Sequence, residues 1–571
     1  MATISEALAI AIQHCQAGRF QSAEQIFRQI LHVEPAYAVA HNNLGNVLQE
    51  QGKLEDAVEC YRRALQLKPD YALAQSNLGG ALQAQGKWDE AMQCYQRTLQ
   101  LTPNFAKAHN NLGTVFTAQG KLDEAVACYR RALQLNPDYA EAHYNLGIAF
   151  KDQGKLDEAI ACCRQALALK PDYAEAHNNL GTAFKDQGQL EEAIACYYRA
   201  LTLRPDYVEA HSNLGNAFKD QGKLEEAIAC YRRALEVKPD FAEAHLNRAL
   251  TWLLAGDWQQ GWPEYEWRWW ASGMSPRSFQ EPLWDGNPLT GEAILLHAEQ
   301  GLGDTIQFIR YALLVKRLGA AVVVECQKAL LPLLSTCAGI DHLVARGDAI
   351  PAFTAQAPLL SLPRIFQTSP DAIPAAVPYL FAAPARVESW RQRLRDLPGY
   401  KIGINWHGRP GHGSWRARNI PLQQFAPLAE IPGVRLISLQ KGAGREEMAA
   451  AGGRLPLVDL GDEVDQAGGA FMDTAAIMMN LDLVITSDTA VPNLAGALGV
   501  PVWVALPRVP DWRWLLDRSD SRWYPTMRLF RQKTSGDWAA VFEEIRAALC
   551  ERLNSPHGLE HQNSLEHSHG A

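Results

Sequence analysis

The sequence predicts an α-helical repeat solenoid followed by an α/β region that contains two parallel sheets. Proline recurs every 34 residues from Pro35 to Pro239, whereas short β-branched runs alternate with helical stretches from about residue 286. Tryptophan is also unevenly placed, because only Trp88 of the 16 tryptophans precedes residue 250. We therefore expect two chemically different parts, joined near residue 275.

The charge and the N-terminal sequence restrict the classes of partner. A formal net charge of −9 at pH 7 disfavours a general binder of nucleic acid or of anionic membranes, which is normally basic. The N-terminal run carries Glu6 among apolar residues and lacks a basic start, so it is not typical of a signal peptide. No apolar stretch reaches the roughly 18 residues of a membrane span. We expect neither a nucleic-acid partner nor a membrane span.

Glycine and tyrosine follow the same period as proline. The glycines are Gly45, Gly79, Gly113, Gly147, Gly181 and Gly215, and the tyrosines are Tyr61, Tyr95, Tyr129, Tyr197 and Tyr231. Glycine lets two helix backbones approach closely, and proline ends a helix. This in-phase pattern resembles the tetratricopeptide repeat, a helix–turn–helix unit of 34 residues. The resemblance implies a superhelix over residues 1–270, with seven repeats at about 4–241 and a degenerate eighth at 242–270.

Six cysteines also follow this period. They are Cys60, Cys94, Cys128, Cys162, Cys196 and Cys230. A periodic cysteine in a helix is typical of a small buried apolar residue rather than of a disulfide or a metal ligand, and the sequence has no Cys-x-x-Cys motif. We therefore predict reduced thiols and a cytoplasmic protein.

One asparagine per repeat is not explained by helix packing. The row consists of Asn43, Asn77, Asn111, Asn145, Asn179, Asn213 and Asn247. An amide can donate to and accept from one peptide unit, so a row of amides on the first helices can hold an extended chain without reading its sequence. Similar ladders occur in tetratricopeptide modules that bind peptides, notably in protein O-GlcNAc transferases. The resemblance implies an acceptor protein or peptide as the partner, and such superhelices also form homodimers.

Two other interpretations of this asparagine row remain open. The amides could bond neighbouring helices to each other, or the row could simply reflect recent duplication of nearly identical repeats.

Two sets of short strands are expected in the second part of the chain. The first set is AILLHAE, AVVVECQ, DHLVA and APLLSLP, and the second is KIGINWH, VRLISLQ, LPLVDLG, LDLVITS and VPVWVAL. Each set predicts a parallel sheet, so that two Rossmann-like lobes flank a cleft. We expect a linker at 271–290, lobes at 291–398 and 399–553, and a disordered tail at 554–571. Ligands of such sheets bind at the carboxyl ends of the strands, where the unusual sequences lie.

The loop after the first strand contains Gly301, Gly303 and Asp304. The glycines allow the backbone to approach a ligand, and the helix that begins here offers free N–H groups to an anion. Asp304 is placed to act as a general base toward an incoming hydroxyl group. It could equally be a helix cap with a purely structural role.

The loop after KIGIN, residues 404–422, is rich in glycine and arginine. Arg416 and Arg418 carry planar guanidinium groups that suit the binding of a diphosphate. His407 could donate to a phosphate or could be an ordinary surface histidine.

The loop after LDLVITS contains Asp488 and Thr489 and leads into a helix that carries Asn493. These side chains could bind a ribose or a phosphate at the start of that helix, or they could serve only as caps.

Together these three loops resemble those of the ADP-heptose–lipopolysaccharide heptosyltransferase family, which has the two-lobed GT-B fold. The resemblance covers about residues 290–550. The site residues that it implies are the base Asp304, the basic residue Arg418, and the nucleotide-sugar element Asp488, Thr489 and Asn493. Ala490 stands where the family has glycine, and Asn493 replaces the family's histidine, so this position can donate a hydrogen bond but cannot carry charge.

The whole architecture is similar to that of tetratricopeptide proteins with a glycosyltransferase domain, among them flagellin glycosyltransferases. The resemblance implies an inverting, metal-independent transferase without a cofactor, which moves a sugar from a nucleotide sugar to a protein. Two alternatives are a non-catalytic scaffold with degenerate lobes and a transferase for a lipid or oligosaccharide acceptor. The segment with Trp512, Trp514 and Trp523 is expected to fill a domain junction or, alternatively, to stack a sugar or base.

Overall fold

The computed structural model describes residues 3–271, 273, 277–374, 376–408, 418–451, 453, 455–466 and 469–554. The chain forms two compact units, residues 1–214 and 215–571. The predicted domain boundaries at 270 and 290 differ from this division and stay a prediction. The disordered tail predicted at 554–571 lies, beyond Asn554, outside the described residues.

The first part of the chain is a helical solenoid of the tetratricopeptide type, as predicted. Its seven helix pairs are α1 (Ile4–Gln16) and α2 (Phe20–Val33), α3 (Ala38–Glu50) and α4 (Leu54–Leu67), α5 (Ala72–Ala84) and α6 (Trp88–Leu101), α7 (Ala106–Ala118) and α8 (Leu122–Leu135), α9 (Ala140–Asp152) and α10 (Leu156–Leu169), α11 (Ala174–Asp186) and α12 (Leu190–Leu203), and α13 (Val208–Asp220) and α14 (Leu224–Val237). The degenerate end consists of α15 (Ala242–Ala255), α16 (Trp258–Tyr265) and α17 (Arg268–Ala271).

The periodic residues explain the geometry of each pair. Gly52 joins α3 to α4 with a φ of +76°, a conformation that residues with a Cβ rarely adopt. Gly45 faces the ring of Tyr61 so closely that a Cβ would lie 2.6 Å from its Cε1 atom. The glycine and tyrosine rows are therefore two sides of one contact between the helices of a pair.

The periodic cysteines are less buried than the sequence predicts. Cys94 is buried, whereas the other five are half-buried. All eleven cysteines are free thiols. Burial raises the pKa of the Cys60 thiol to about 11, so this thiol stays protonated at neutral pH.

The first predicted sheet is present. Its strands are β1 (Ala293–His297), β2 (Ala321–Cys326), β3 (His342–Ala345) and β4 (Ala355–Pro358), all parallel in the order β3-β2-β1-β4. Its helices are α18 (Leu302–Phe308), α19 (Ala312–Arg317), α20 (Leu331–Leu334), α21 (Leu362–Ile365) and α22 (Pro384–Arg393). The last strand, β4, begins two residues before the predicted segment APLLSLP. It also ends within that segment, because Leu359–Ser361 form a 3₁₀ turn.

The second sheet contains the five predicted strands and one more. Its strands are β5 (Tyr400–Asn405), β6 (Val434–Ser438), β7 (Leu457–Val458), β8 (Leu483–Thr486), β9 (Val502–Leu506) and β10 (Met527–Arg531), parallel in the order β10-β9-β8-β5-β6-β7. Its helices are α23 (Ala426–Ala429), α24 (Arg445–Ala451), α25 (Met472–Met478), α26 (Ala490–Leu498) and α27 (Trp538–Asn554). The sequence prediction missed β10, an edge strand whose exposed Arg528 interrupts its apolar run.

Tryptophans join the last repeat helices to the α/β region within the second unit. The ring of Trp258 stacks on Trp523 with centroids 5.3 Å apart, and Trp262 meets Trp512 edge to face at 5.1 Å. The indole N–H of Trp262 donates to the carbonyl of Thr368 at 3.0 Å. The predicted role of this segment in filling a junction is confirmed for Trp512 and Trp523.

Over the described ranges, none of the helices combines the length and the apolar character needed to cross a membrane.

Candidate functional site

The candidate site begins where β1 runs into α18. Asp304 is the third residue of α18, and its Oδ2 accepts a hydrogen bond from the backbone N–H of Gly301 at 3.0 Å. Its Oδ1 forms an ion pair with Arg513, and its side chain keeps 20% of its exposure. Asp304 therefore caps its helix with one oxygen and pairs the other with Arg513, and its role as a general base stays a prediction.

The two glycines of this loop face protein atoms. A Cβ on Gly301 would lie 3.1 Å from Oδ2 of Asp304, and a Cβ on Gly303 would lie 3.1 Å from Nδ2 of Asn493. The latter would also lie 3.3 Å from the Cα of Ala490. Gly303 thus permits the close packing of α18 against α26, which is a different reason for glycine from the ligand approach expected from the sequence.

Arg513 is fixed at three points in the cleft. Its Nε donates to Oε1 of Gln307 at 2.6 Å, its Nη1 pairs with Oδ1 of Asp511 at 2.8 Å, and its Nη2 pairs with Asp304. The guanidinium also lies 4.5 Å from the ring of Trp512. Such a planar group bound on all sides is held in one orientation.

Arg418 continues the same set of charges. Its Nη2 lies 3.4 Å from Oδ2 of Asp511, and its Nε lies 3.6 Å from Oδ2 of Asp488. The alternating row Asp304, Arg513, Asp511, Arg418 and Asp488, which we call the cleft ion chain, connects the loop after β1 with the loops after β5, β8 and β9. The sequence prediction that these loops share one cleft is consistent with this chain of contacts.

The carboxylates of the cleft ion chain differ in their proton affinity. Burial raises the pKa of Asp488 above its usual value, and the guanidinium of Arg418 only partly opposes this effect. Asp511 is half-buried, but the charges of Arg513 and Arg418 outweigh its desolvation and hold its pKa below the usual range. Asp511 is therefore the permanent anion between the two arginines.

Thr489 and Asn493 make hydrogen bonds within the protein. The Thr489 hydroxyl donates to Oδ1 of Asn405 at 2.9 Å and accepts from the N–H of Val491 at 3.2 Å, so it caps α26. Asn493 is buried; its Oδ1 accepts from the Tyr524 hydroxyl at 3.1 Å, and its Nδ2 donates to the Thr489 carbonyl at 3.4 Å. The capping interpretation thus describes Thr489, and the donor-binding role of both residues stays a prediction.

His407 lies in a loop that Gln440 holds in place. The backbone N–H of His407 donates to Oε1 of Gln440 at 2.9 Å, and Nε2 of Gln440 donates to the His407 carbonyl at 3.0 Å. The half-buried ring has its Nε2 3.9 Å from Oε1 of Glu447. Arg416 lies outside the described residues.

The sequence prediction did not assign Asp511, Arg513 or Gln307 to the site. Arg513 lies in a tryptophan-rich segment, and a high density of aromatic residues is typical of packing rather than of a binding site. Their position offered a signal, because Asp511 and Arg513 follow β9 at its carboxyl end, where ligands of parallel sheets bind.

A cavity of about 700 Å³ opens beside the end of β6. Lys441, Arg445, Asp465 and Phe471 are among its lining residues. Within the described part of the chain, no three His, Cys, Asp or Glu side chains are grouped so that they could hold a metal ion. Independence of metals and cofactors stays a prediction.

The asparagine row lies on the first helix of each repeat, as expected, and all seven residues are half-buried. Nδ2 of Asn77 donates to Oδ1 of Asn42, and Nδ2 of Asn145 donates to Oδ1 of Asn110, both at 3.0 Å. These bonds join successive repeats, as the second interpretation of the row expects. A primary amide has two N–H groups and one carbonyl oxygen, so one such bond does not use its full capacity.

The repeat region matches a known family model. Residues 2–250 match the model described as the cilia and flagella-associated protein 70 C-terminal domain. Protein FlbA of Caulobacter vibrioides is 28% identical over 341 residues, which cover 53% of this chain and 54% of FlbA. The chain thus spans about half the length of the curated relative that it matches.

Solved structures resemble part of this chain at low identity. The APC/C hetero-tetramer Cut9–Hcn1 is 20% identical with a TM-score of 0.39, covering 44% of this chain and 50% of that chain. A tetratricopeptide repeat protein from Parabacteroides merdae is 19% identical with a TM-score of 0.37, covering 43% of this chain and 98% of that chain. The paired helices and the matched family model together show a helical solenoid of the tetratricopeptide type in the repeat region.

Proposed function

We propose that this tetratricopeptide-repeat protein is an inverting glycosyltransferase of the GT-B fold that transfers a sugar from a nucleotide sugar to a polypeptide. The observation that carries the proposal is the cleft ion chain, in which a carboxylate after β1 lies in one network with two arginines and the loop after β8. A base for the acceptor hydroxyl and cations for a diphosphate are the groups that this reaction requires.

In the proposed reaction, Oδ1 of Asp304 takes the proton of an acceptor hydroxyl. The hydroxyl oxygen forms a bond to the anomeric carbon while the bond from that carbon to the diphosphate oxygen breaks, so the configuration inverts. The departing nucleoside diphosphate carries the released electron pair, and the guanidinium of Arg418 stabilises its charge.

The nucleotide has a candidate site in the second sheet. The cavity beside β6, at about 700 Å³, is within the range of about 300–1,000 Å³ that is typical of small-molecule sites. Lys441 and Arg445 line it together with Asp462 and Asp465, whose carboxylates can accept hydrogen bonds from hydroxyl groups, and Phe471 gives it an aromatic surface. These features suit the ribose and base of a nucleotide.

The acceptor is proposed to be a polypeptide bound by the asparagine row. The half-buried amides offer donors and acceptors at a fixed spacing along successive first helices. A peptide backbone is the ligand whose repeating N–H and C=O groups match such a row. The side-chain hydroxyl of a bound serine or threonine would then be the nucleophile.

A non-catalytic scaffold is the second candidate function. Its support is that Thr489 and Asn493, expected to bind the donor, make hydrogen bonds within the protein, and that Asp304 is paired with Arg513. In this alternative the cleft ion chain only joins the two sheets.

The test is a panel of nucleotide sugars offered to the full-length chain with serine- and threonine-containing peptides. We expect one donor to be consumed, with a mass increase of one sugar on the peptide. Binding of no donor, together with no hydrolysis and no transfer, would favour the scaffold. Asn145→Ala and Asn179→Ala, combined in one chain, test the acceptor site. They should raise the KM for peptide, whereas an unchanged KM would show that the asparagine row does not bind the acceptor.

A further inference from the structure

Arg513 is held by Gln307 and Asp511 as well as by Asp304. Its Nε bond to Gln307 and its Nη1 bond to Asp511 fix the guanidinium plane, which leaves the pair between Nη2 and Asp304 as the contact nearest the cleft. The Arg513 side chain is 12% exposed and the Asp304 side chain 20% exposed, so small polar groups can reach this pair.

The two carboxylate oxygens of Asp304 have different partners. Its Oδ2 stays on the backbone N–H of Gly301, whereas its Oδ1 binds Arg513. If Arg513 found another anion, the Gly301 bond would keep the carboxylate oriented while Oδ1 became free. The oxygen that is blocked now is the one that a general base needs.

We propose that Nη2 of Arg513 is exchanged between Asp304 and the diphosphate of the bound donor, so that donor binding releases the base. The inference rests on the proposed function and names Arg513 as a second diphosphate ligand. A diphosphate carries more negative charge than one carboxylate and offers several acceptor oxygens, so it is the stronger partner for a guanidinium.

The surrounding charges favour such an exchange. Asp511 remains between Arg513 and Arg418 and keeps both guanidiniums in place while their outer N–H groups turn to the phosphate. No bond to carbon changes in this step; one ion pair replaces another. The exchange makes Asp304 available as a base only when the donor is present.

The exchange predicts a change in diphosphate affinity that a purely structural role of Arg513 does not predict. Asp304 competes with the diphosphate for Arg513, so removal of the Asp304 charge should strengthen diphosphate binding. This gain should require Arg513. A cation that only supported the fold would show no such dependence.

The experiment is a double-mutant cycle on the full-length chain, read by calorimetry with inorganic pyrophosphate and with ADP, GDP and UDP as probes. Asp304→Asn should bind the preferred probe about 10-fold more tightly than the wild type, and Arg513→Gln about 10-fold more weakly. Adding Asp304→Asn to Arg513→Gln should change the affinity less than twofold. Arg522→Gln is the control, because Arg522 pairs with the exposed Asp371 at 3.2 Å and is not part of the cleft ion chain.

Each result decides a different question. If the wild type binds a probe and Asp304→Asn binds it no more tightly, the exchange is wrong while the proposed function stands. If the wild type binds none of the probes, both proposals fail. Should Arg513→Gln lose its native circular dichroism, Arg513→Lys takes its place in the cycle. Lysine keeps the charge but not the fork that holds Gln307 and Asp511, so weaker pyrophosphate binding supports the exchange and unchanged binding overturns it.

Discussion

Gly303 of α18 and Asn493 of α26 touch at the cleft, where a Cβ on Gly303 would lie 3.1 Å from the Asn493 amide nitrogen. The contact joins α18, which follows strand β1 of the first sheet, to α26, which follows strand β8 of the second sheet. It therefore sets the separation between the loop that carries Asp304 and the loop that carries Asp488. The site geometry depends on this approach as much as on the charged groups.

Gly303→Val tests this approach. Its methyl groups would overlap Asn493 and Ala490, so we expect a loss of about 1–3 kcal/mol in the free energy of unfolding. This free energy is measured by denaturant unfolding, with tryptophan fluorescence as the signal. Asn493→Ala in the same chain removes one of the overlapping groups and should recover part of the loss. A Gly303→Val chain as stable as the wild type would contradict the described packing.

Two adjacent glycines in α5 provide a matched pair in the repeats. A Cβ on Gly79 would lie 2.7 Å from Cε1 of Tyr95, whereas a Cβ on Gly80 would lie 3.8 Å from the Tyr95 hydroxyl oxygen. Gly79→Ala should therefore destabilise by about 1–3 kcal/mol, and Gly80→Ala should stabilise by up to about 1 kcal/mol through helix propensity. Thermal melting followed by circular dichroism measures both, and equal shifts in Tm would refute the prediction.

The tryptophan junction predicts a strong contrast between two indoles. Trp258 is buried and stacked on Trp523, whereas Trp270 is 62% exposed. Trp258→Ala should cost about 3–5 kcal/mol, because it leaves a large cavity between the last repeat helices and the α/β region. Trp270→Ala should stay within about 0.5 kcal/mol of the wild type. Chemical denaturation measures both; similar losses in the two variants would show that the junction is not the stabilising contact.

Glu299 predicts a pH dependence of stability. Burial raises its pKa to about 7 despite its 2.9 Å ion pair with Arg268. In the unfolded chain a glutamate loses its proton near pH 4.3, so between about pH 4.5 and 7 the folded state binds more protons. Stability therefore falls as the pH rises through this window, and the penalty is fully present above pH 7.

Glu299→Gln carries no titrating proton and isolates this effect. The stability of the variant relative to the wild type should rise by about 1–3 kcal/mol between pH 5 and pH 8. Urea unfolding at a series of pH values measures the two curves. Parallel curves would mean that Glu299 is already charged in the folded protein at pH 5.

The sequence predicts most of the fold because its patterns are local and repeated. The 34-residue period places five of the six glycines opposite a tyrosine and Gly147 opposite Cys163. Short apolar runs locate eight of the ten strands and overlap a ninth, β4, at Ala357 and Pro358. The missed strand, β10, has Arg528 and Arg531 within five residues, which hides its apolar positions. Edge strands tolerate such charges because one side faces solvent.

The site was less predictable because its groups come from distant parts of the chain. Asp304 and Arg513 are 209 residues apart, and no spacing in the sequence announces their ion pair. Asn493 fits a motif position, yet Tyr524 covers it, a contact that only packing decides. Motif positions predict where a loop lies. The hydrogen-bond or ion-pair partner of each side chain is decided only when the two sheets are folded and packed together.

The most direct test of the account is the rate of sugar transfer by Asp304→Asn at saturating donor. We predict that the variant binds the nucleotide sugar at least as tightly as the wild type but transfers it about 10²- to 10⁴-fold more slowly, because the general base is gone. Asp520→Asn, which removes an exposed carboxylate paired with Arg518 at 2.6 Å, is the control and should keep the wild-type rate. Transfer by Asp304→Asn at the wild-type rate would contradict the central claim that Asp304 takes the proton of the acceptor.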